Sequence, residues 1–200
     1  MSLVSNMQLE SFFLRIDVFL AAILETKIQK ENLNKVLPVL GQWETLDNYD
    51  YAVLGRILVL RNRRVVTVVC LERNDQFIHC EVEWKDNGVK AAVTFVYAAN
   101  DMALREPLWN ALLRIAGCTI GPWVLLGDSN TSLYSDERIR DGSSVPSPLG
   151  ELQNLVASTG LADLRFSGRH LTWCNNQQAE DRMYCKLDRI MVNGEWLVHF

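Results

Sequence analysis

Short apolar runs that end in polar residues recur along this chain, and they predict a mixed α/β structure. The clearest run covers residues 123–126, where four consecutive apolar positions are typical of a strand buried on both faces. Asp128 and Asn130 follow it closely. Ligands of open α/β sheets bind at the carboxyl ends of the strands, so these two side chains are candidates for chemistry. The same residues also suit a turn, because Asp and Asn side chains readily hydrogen-bond their own backbone.

An earlier apolar run, at residues 18–24, predicts a second buried strand that also ends in a carboxylate, Glu25. Glu25 could equally be a solvated residue that opens the next helix, where an acidic side chain suits the helix dipole. Apolar residues at helical spacing predict a short helix over residues 7–14 and a longer helix over residues 28–40.

The middle of the chain is typical of antiparallel strands and hairpins. Its short β-branched and aromatic segments are separated by Asn, Asp, Gly and Arg clusters, with a turn at residues 86–88. We expect His79, inside one segment, to be a packed or rim histidine and not a ligand, because no second His or Cys stands at ligand spacing. The predicted strands are residues 51–54, 55–60, 65–71, 77–84 and 89–97.

Helices and strands alternate in the following part of the chain. Apolar positions between residues 105 and 115 predict an amphipathic helix that leads into the strand at 123–126. An exposed loop is predicted over residues 129–148, followed by a helix over residues 149–158 that Gly160 ends.

The last part of the chain predicts a hairpin, formed by residues 171–174 and residues 185–192. Asp188 lies within the second of these strands and needs a partner if it is buried. Two interpretations are open. Asp188 either forms a surface ion pair with a neighbouring cation or orients a group at the rim of the sheet. The neighbouring cations are Arg182, Lys186 and Arg189.

Length and composition favour one sizeable domain over residues 1–200. Of the 200 residues 48% are apolar, which is enough for a substantial core and argues against disorder. A net charge of −4 argues against a broad basic surface that binds nucleic acid through phosphates alone. The apolar stretch at residues 12–24 contains Arg15 and Asp17, so we expect neither a transmembrane segment nor a secretory signal.

The five cysteines are scattered, odd in number and without a Cys-x-x-Cys pair. They therefore predict neither a zinc site nor a disulfide framework, and they favour a reducing, intracellular setting. The compartment itself is not indicated.

In order along the chain, five segments resemble the endonuclease/exonuclease/phosphatase superfamily, and most closely the endonuclease domain of plant non-LTR (LINE-type) retrotransposons. The resemblance implies a two-sheet α/β sandwich of the deoxyribonuclease type with helices outside. It also implies association with a reverse transcriptase, which such elements encode downstream. The matching segments are Ile-Leu-Glu-Thr-Lys at 23–27, Val-Tyr-Ala-Ala-Asn at 96–100, Pro-Trp-Val-Leu-Leu-Gly-Asp-Ser-Asn at 122–130, Leu-Thr-Trp at 171–173 and Lys-Leu-Asp-Arg at 186–189.

The resemblance assigns a role to each candidate residue. Glu25 would bind a divalent metal, and Asp188 would steady the metal side of the site with Trp173 beside it. Tyr97 would hold the scissile phosphate, and Asn100 would support its loop.

Two further roles follow from the same family pattern. Asp128 would orient or deprotonate the attacking water, and Asn130 would stabilise the charge that develops on the phosphate. Ser129 replaces a more usual aromatic residue between them, a change that we expect to be tolerated.

The implied reaction is Mg²⁺-dependent (or Mn²⁺-dependent) hydrolysis of a phosphodiester bond in DNA. A hard cation neutralises phosphate oxygens, and Mg²⁺ prefers a few carboxylates plus waters. A positioned water and neutral or cationic donors complete the requirement.

Two parts of the family pattern are missing, so we expect the sandwich to be incomplete at its N- and C-terminal strands. An early Trp-Asn pair has no counterpart, and the chain stops before a terminal Ser-Asp-His segment; His199 is expected to be a surface residue. Loss of an acid/base group removes about 10²–10⁴ in rate, so we expect weakened hydrolysis. The alternatives are a non-catalytic remnant or binding module that keeps the fold, and a phosphatase-branch member of the superfamily.

Overall fold

The structure, a computed structural model, describes residues 18–36, 43–52, 56–140, 143–145 and 150–200, without the side chain of Ala179. It contains two units, Met1–Ala91 and Ala92–Phe200. The predicted helix at residues 7–14 lies outside the described residues. None of the helices within the described ranges is long and apolar enough to cross a membrane.

Three antiparallel strands of the first unit form a sheet: β1 (Leu20–Leu24), β2 (Trp43–Asp47) and β3 (Ile57–Asn62). Their order is β1–β3–β2, so β3 is the central strand. Helix α1 (Lys30–Val36) follows β1, and this part of the unit has its own apolar core. The core contains Leu33, Tyr49, Leu58 and Leu60.

A hairpin of the first unit joins β4 (Val66–Arg73) and β5 (Phe77–Trp84). Its register is irregular between Cys70 and Glu72. His79 lies in β5 with only 6% of its surface exposed, which confirms that it is a packed histidine.

The sheet of the second unit contains β6 (Lys90–Tyr97), β7 (Trp123–Asp128), β10 (Ala162–Asp163) and β13 (Asp188–Val192). In the order β10–β13–β7–β6, strand β7 is central, as its unbroken apolar sequence predicts. β6 and β7 are parallel, whereas β13 is antiparallel to both β7 and β10. The carboxyl ends of β6 and β7 therefore lie at the same edge of the sheet as the amino end of β13.

Three helices belong to the second unit: α2 (Met102–Cys118), α3 (Glu151–Thr159) and α4 (Gly194–His199). α2 and α3 pack against each other. Gly160 ends α3 in the left-handed conformation at φ 69°, which confirms the predicted stop. The apolar side chains that these two helices bury are Leu108, Leu112, Ile115, Leu152 and Leu155 together with Trp109.

A second, small sheet is formed by very short strands in the order β11–β12–β8–β9. β8 is Arg138–Arg140, β9 is Ser143–Ser144, β11 is Trp173–Cys174 and β12 is Met183–Cys185. Strands β8 and β9 lie within residues 129–148, which were predicted as an exposed loop. They were not predicted because each is too short to give a recognisable period.

The hairpin predicted from residues 171–174 and 185–192 is wrong in one respect. β11 pairs with β12, but the chain changes sheets at Lys186 and Leu187, and residues 188–192 pair with the central strand β7 instead. Apolar and charged residues alternate from Cys185 to Asp188 as they would in one continuous strand, so periodicity alone does not reveal the change of sheet.

Most other predicted elements are confirmed with shifts of a few residues, and the mixed α/β class is confirmed. β2 was not predicted. The strand expected at residues 51–54 is a turn at Tyr51, and residues 53–54 lie outside the described residues. His199 is exposed, with Nδ1 2.8 Å from the Glu195 carbonyl oxygen, as expected of a surface residue.

Candidate active site

Three candidate residues form a row across the strand ends of the second unit. Tyr97 of β6 is in register with Asp128 of β7, and Asp128 is in register with Asp188 of β13. Register partners carry their side chains on the same face of a sheet. The structure therefore brings together a phenol and two carboxylates, which lie 31 and 60 positions apart along the chain.

The edge of the sheet is fixed by close contact between β6 and β7. The Ala98 N–H donates to the Asp128 carbonyl oxygen at 2.9 Å. Gly127 has φ 136°, and a Cβ atom there would lie 2.0 Å from the Val96 carbonyl oxygen. Only glycine fits this approach, so Gly127 sets the position of the Asp128 backbone.

Asn130 holds the loop after β7 against the loop after β6. Its backbone N–H donates to Asp128 Oδ1 at 2.8 Å, and its side-chain Nδ2 donates to the Ala98 carbonyl oxygen at 2.7 Å. The backbone of Asn130 is left-handed, at φ 46°, a conformation that Asn tolerates better than most residues. The turn expected of an Asp-x-Asn sequence is thus present at the same edge as the candidate site.

Ser129 and Thr172 tie this loop and the hairpin to the strand that carries Asp188. The Ser129 N–H and hydroxyl lie 2.9 and 2.8 Å from the Leu187 carbonyl oxygen. Thr172 Oγ1 accepts from the N–H groups of Leu187 and Asp188, each at 3.1 Å. Each such hydrogen bond stabilises the fold by about 1 kcal/mol. The serine between Asp128 and Asn130 therefore has a positioning role of its own.

Asp188 is exposed, and the cations beside it in sequence bond elsewhere. Lys186 and Arg189 both donate to Asp163 Oδ2 at 2.7 Å. Arg182 donates to the Gln177 carbonyl oxygen at 3.0 Å. Of the two open interpretations, the surface ion pair with one of these cations is not found among the described contacts. Alternation along β13 also turns Arg189 and Asp188 to opposite faces.

Four residues, Glu137, Asp163, Lys186 and Arg189, form what we call the buried charge cluster. Glu137 and Arg189 are in direct ion contact, and each side chain is 1% exposed. Burial opposes ionisation of Glu137, but hydrogen bonds from Arg189 and from the Tyr134 and Leu133 N–H groups outweigh it and lower its pKa. The cluster has no net formal charge, and it fixes β13 against the segment that precedes β8.

Beside the row lies a cleft of about 380 Å³, and three more candidates line it: Asn100, Asn130 and Trp173. Asn100 is exposed, and Trp173 is 44% exposed. Two arginines, Arg105 and Arg138, also line the cleft. The cleft thus combines amide groups, an aromatic face and cations, which suits a ligand with both rings and anionic groups.

Arg105 supports the loop between β6 and α2. Its guanidinium binds both carboxylate oxygens of Glu151 at 3.0 Å and the carbonyl oxygens of Ala99 and Asn100 at 3.0 and 2.8 Å. Trp109 Nε1 also donates to Glu151. Burial opposes ionisation of Glu151, but these bonds and the charge of Arg105 hold its pKa below the usual value.

Glu25, the candidate metal ligand, lies in the first unit directly after β1. Its N–H donates to the Arg56 carbonyl oxygen at 2.7 Å, and its carboxylate lies 3.0 Å from Lys27 Nζ. Both side chains are exposed. The backbone of Glu25 is left-handed at φ 51°, an uncommon conformation for this residue type that fixes the direction of its side chain.

The donor set of the row fits a magnesium ion better than a transition metal. Among the described residues no three His, Cys, Asp or Glu side chains lie close enough together to hold a metal by themselves. Mg²⁺ needs no such cage, since one or two carboxylates plus waters and substrate phosphate oxygens suffice. Asp128 and Asp188, which are register partners, carry carboxylates of the kind that could serve as such ligands.

Several residues of the site were not predicted from the sequence. Thr172 lies within the recognised Leu-Thr-Trp segment, so a signal for it was present. Arg189 likewise lies within the recognised Lys-Leu-Asp-Arg segment. The others bond to partners far along the chain, and no local pattern marks them. They are Arg105 with Glu151, Glu137 (the partner of Arg189) and Arg138.

Comparisons with known proteins identify the fold. By sequence, no family model and no curated protein matches the chain. By structure, the chain is similar to the endonuclease domain of TRAS1, a telomere-specific non-LTR retrotransposon, with a TM-score of 0.72 at 10% identity over 98% of this chain and 83% of that one.

Two further structures have the same fold. The AP endonuclease LMAP of Leishmania major gives a TM-score of 0.69 at 14% identity, over 96% of this chain and 74% of that one. An endonuclease/exonuclease/phosphatase from Bacteroides vulgatus gives 0.63 at 14% identity, over 94% and 78%. The chain therefore has the endonuclease/exonuclease/phosphatase fold that its segments resemble.

Proposed function

We propose that this chain is a DNA endonuclease domain of retrotransposon origin, which hydrolyses phosphodiester bonds with the help of Mg²⁺ or Mn²⁺. The observation that carries the proposal is the row of Tyr97, Asp128 and Asp188 at one sheet edge, beside a cleft lined by Asn100, Asn130 and Trp173. The names of the similar retrotransposon and AP endonucleases support it.

Asp128 is the residue that orients or deprotonates the attacking water. It is half-buried at the end of the central strand, and the Asn130 N–H on Oδ1 fixes the direction of its carboxylate. Tyr97 lies next to it in register, and its hydroxyl group donates a hydrogen bond to a phosphate oxygen. One side-chain N–H of Asn130 remains to donate to the phosphate, because the other N–H is bonded to Ala98.

Asp188 completes the row on the side where a cation is expected. Two carboxylates directly opposite each other on antiparallel strands repel, and a bound cation removes that repulsion. A divalent ion would also neutralise phosphate oxygens and lower the barrier to attack. Trp173, on the cleft wall, offers a face on which a base can stack.

The test of the function is nicking of supercoiled plasmid by the purified chain with Mg²⁺ and with EDTA. We expect cleavage that needs the metal and falls by about 10²–10⁴ in Asp128→Asn, since the positioned acid/base group is lost. Asp136→Asn is the matched control, because Asp136 is an exposed aspartate of the same loop. Equal rates for Asp128→Asn and the wild type would refute the proposal.

A phosphomonoester assay on the same samples separates the alternatives. Release of phosphate from a monoester without nicking of DNA would identify a phosphatase. Mg²⁺ binding by a folded sample without either activity would identify a non-catalytic remnant that keeps the fold.

We further propose that Glu25 is a metal ligand, as its place in the Glu-Thr-Lys segment implies. Titration calorimetry with Mg²⁺ tests this independently of activity. Glu25→Gln should weaken Mg²⁺ binding at least about 10-fold, whereas Glu31→Gln, a change at an exposed residue of α1, should not. Unchanged affinity in Glu25→Gln would exclude the role.

A further inference from the structure

The two arginines of the cleft differ in how much of their hydrogen-bonding capacity the protein uses. Arg105 uses Nε, Nη1 and Nη2 in four bonds to Glu151, Ala99 and Asn100. Its charge is compensated by Glu151, and the side chain is 5% exposed. Arg105 therefore has a structural task and little capacity left for a ligand.

Arg138 is placed differently. Its Nε donates to the thioether sulfur of Met183 at 3.1 Å, which holds the guanidinium plane at the wall of the cleft. Neither Nη1 nor Nη2 bonds to any residue that the structure describes, and Arg138 has no carboxylate partner there. Sulfur is a weak acceptor, so no described residue compensates the charge of this half-buried guanidinium.

The surroundings of Arg138 limit what it can bind. Besides Arg105, the described residues that line this cleft offer amides, hydroxyls, a thiol, apolar chains and the Trp173 ring, and none of them is acidic. An anion would therefore meet a cation and neutral donors. Arginine is suited to phosphate, because its two Nη groups can donate to two oxygens at once.

We propose that Arg138 binds a backbone phosphate of the DNA strand that occupies the cleft, while a base of that strand stacks on Trp173. This inference rests on the proposed nuclease function and adds a substrate-binding residue to it. β8, which carries Arg138, is in register with β12, and β12 pairs with the Trp173 strand β11. The two contacts are therefore held by one small sheet.

The experiment measures binding of the chain to short duplex DNA by fluorescence anisotropy, in an Asp128→Asn background that prevents turnover. Arg138→Gln should weaken binding about 10- to 100-fold, as expected for a lost charge-assisted hydrogen bond. The slope of log affinity against log salt should become shallower by about 1, because one phosphate contact is lost. Two duplexes of different sequence should give the same loss.

Two further variants sharpen the result. Arg138→Lys should keep the slope but recover only part of the affinity, since it keeps the charge and loses the planar fork. Arg140→Gln removes an equal charge from the same strand, at a residue that does not line the cleft. It should change the affinity and the salt slope less than Arg138→Gln does. Melting temperatures show whether each variant is folded.

The outcomes separate this inference from the function on which it rests. If Arg138→Gln is folded and binds with unchanged affinity and slope while the wild type nicks DNA, the inference is refuted and the function stands. An equal loss in Arg140→Gln would also refute it, because the effect would then be that of surface charge. No DNA binding by any variant, with no nicking by the wild type, would overturn both.

Discussion

Asp128 and Asp188 are register partners on the antiparallel strands β7 and β13, so two acidic residues stand opposite each other at one edge of a sheet. Such a pair of like charges destabilises a sheet by about 0.2–1 kcal/mol. A cation bound between the two carboxylates would relieve this repulsion.

We therefore expect Asp188→Asn to change stability in opposite directions with and without magnesium. Without Mg²⁺ the variant should unfold at a slightly higher urea concentration than the wild type, because repulsion is removed. With Mg²⁺ the wild type should gain stability and the variant should gain less. Urea unfolding in EDTA and in Mg²⁺ measures both. A variant that is less stable than the wild type in EDTA would contradict the repulsion.

Gly127→Ala should disrupt the site by disrupting its strand. A Cβ atom at residue 127 would meet the Val96 carbonyl oxygen at 2.0 Å, and neither backbone can move without breaking the β6–β7 ladder. We expect a loss of at least about 3 kcal/mol in the free energy of unfolding. Gly117→Ala is the control, since nothing lies within 4 Å of the new atom in helix α2, and it should be neutral or stabilising. Similar losses in both variants would contradict this explanation.

The buried carboxylates predict how stability depends on pH. Glu137 and Glu151 both have a pKa below the usual value of 4.5, so the folded state favours their charged forms. Their contribution is complete above the unfolded pKa and is lost as the pH falls through the lower, folded pKa. The free energy of unfolding should therefore decrease below about pH 4.5.

Glu137→Gln tests the assignment of that loss. This substitution should lower the free energy of unfolding by about 3–5 kcal/mol at pH 7, because Arg189 stays buried without its partner. It should also make the free energy of unfolding fall less steeply below pH 4.5. Glu106→Gln, at an exposed position of α2, should leave both unchanged. A wild-type profile that is flat from pH 7 to pH 3, measured by urea unfolding at each pH, would contradict the pKa direction.

The cysteines should differ widely in reactivity. Burial raises the pKa of the Cys80 thiol to about 12, whereas Cys118 is exposed at the end of α2. At pH 8 Cys80 should react with a disulfide reagent only after unfolding, because the thiolate is the reacting form. Cys118→Ser should remove the fast phase of the reaction, and Cys80→Ser should leave it unchanged. A fast phase that disappears in Cys80→Ser would contradict the burial.

The elements that the sequence predicted well are those that follow from local pattern. The apolar run before Asp128 predicted a central strand, and the position of Gly160 predicted the end of α3, since both depend on neighbouring residues alone. The resemblance of five segments indicated the fold and identified six residues that the second unit gathers at its sheet edge and adjoining cleft.

What the sequence could not reveal depends on contacts between distant residues. The change of sheet at Lys186 and Leu187 occurs where apolar and charged residues alternate as they would in one continuous strand, so the pairing register decides it. The bonds from Arg105 to Glu151 join positions 46 residues apart, and those from Arg189 to Glu137 join positions 52 apart. No window along the chain contains both partners of either pair.

The two sheets of the second unit carry different candidate residues, and this has a consequence for how the site can change in evolution. Tyr97, Asp128 and Asp188 belong to strands of five to eight residues that pair along one sheet. Trp173 and Arg138 belong to strands of two and three residues. Under the proposed function, mutation on the short strands would change how strongly the cleft holds its DNA while leaving Tyr97, Asp128 and Asp188 in place, so affinity and chemistry could evolve separately.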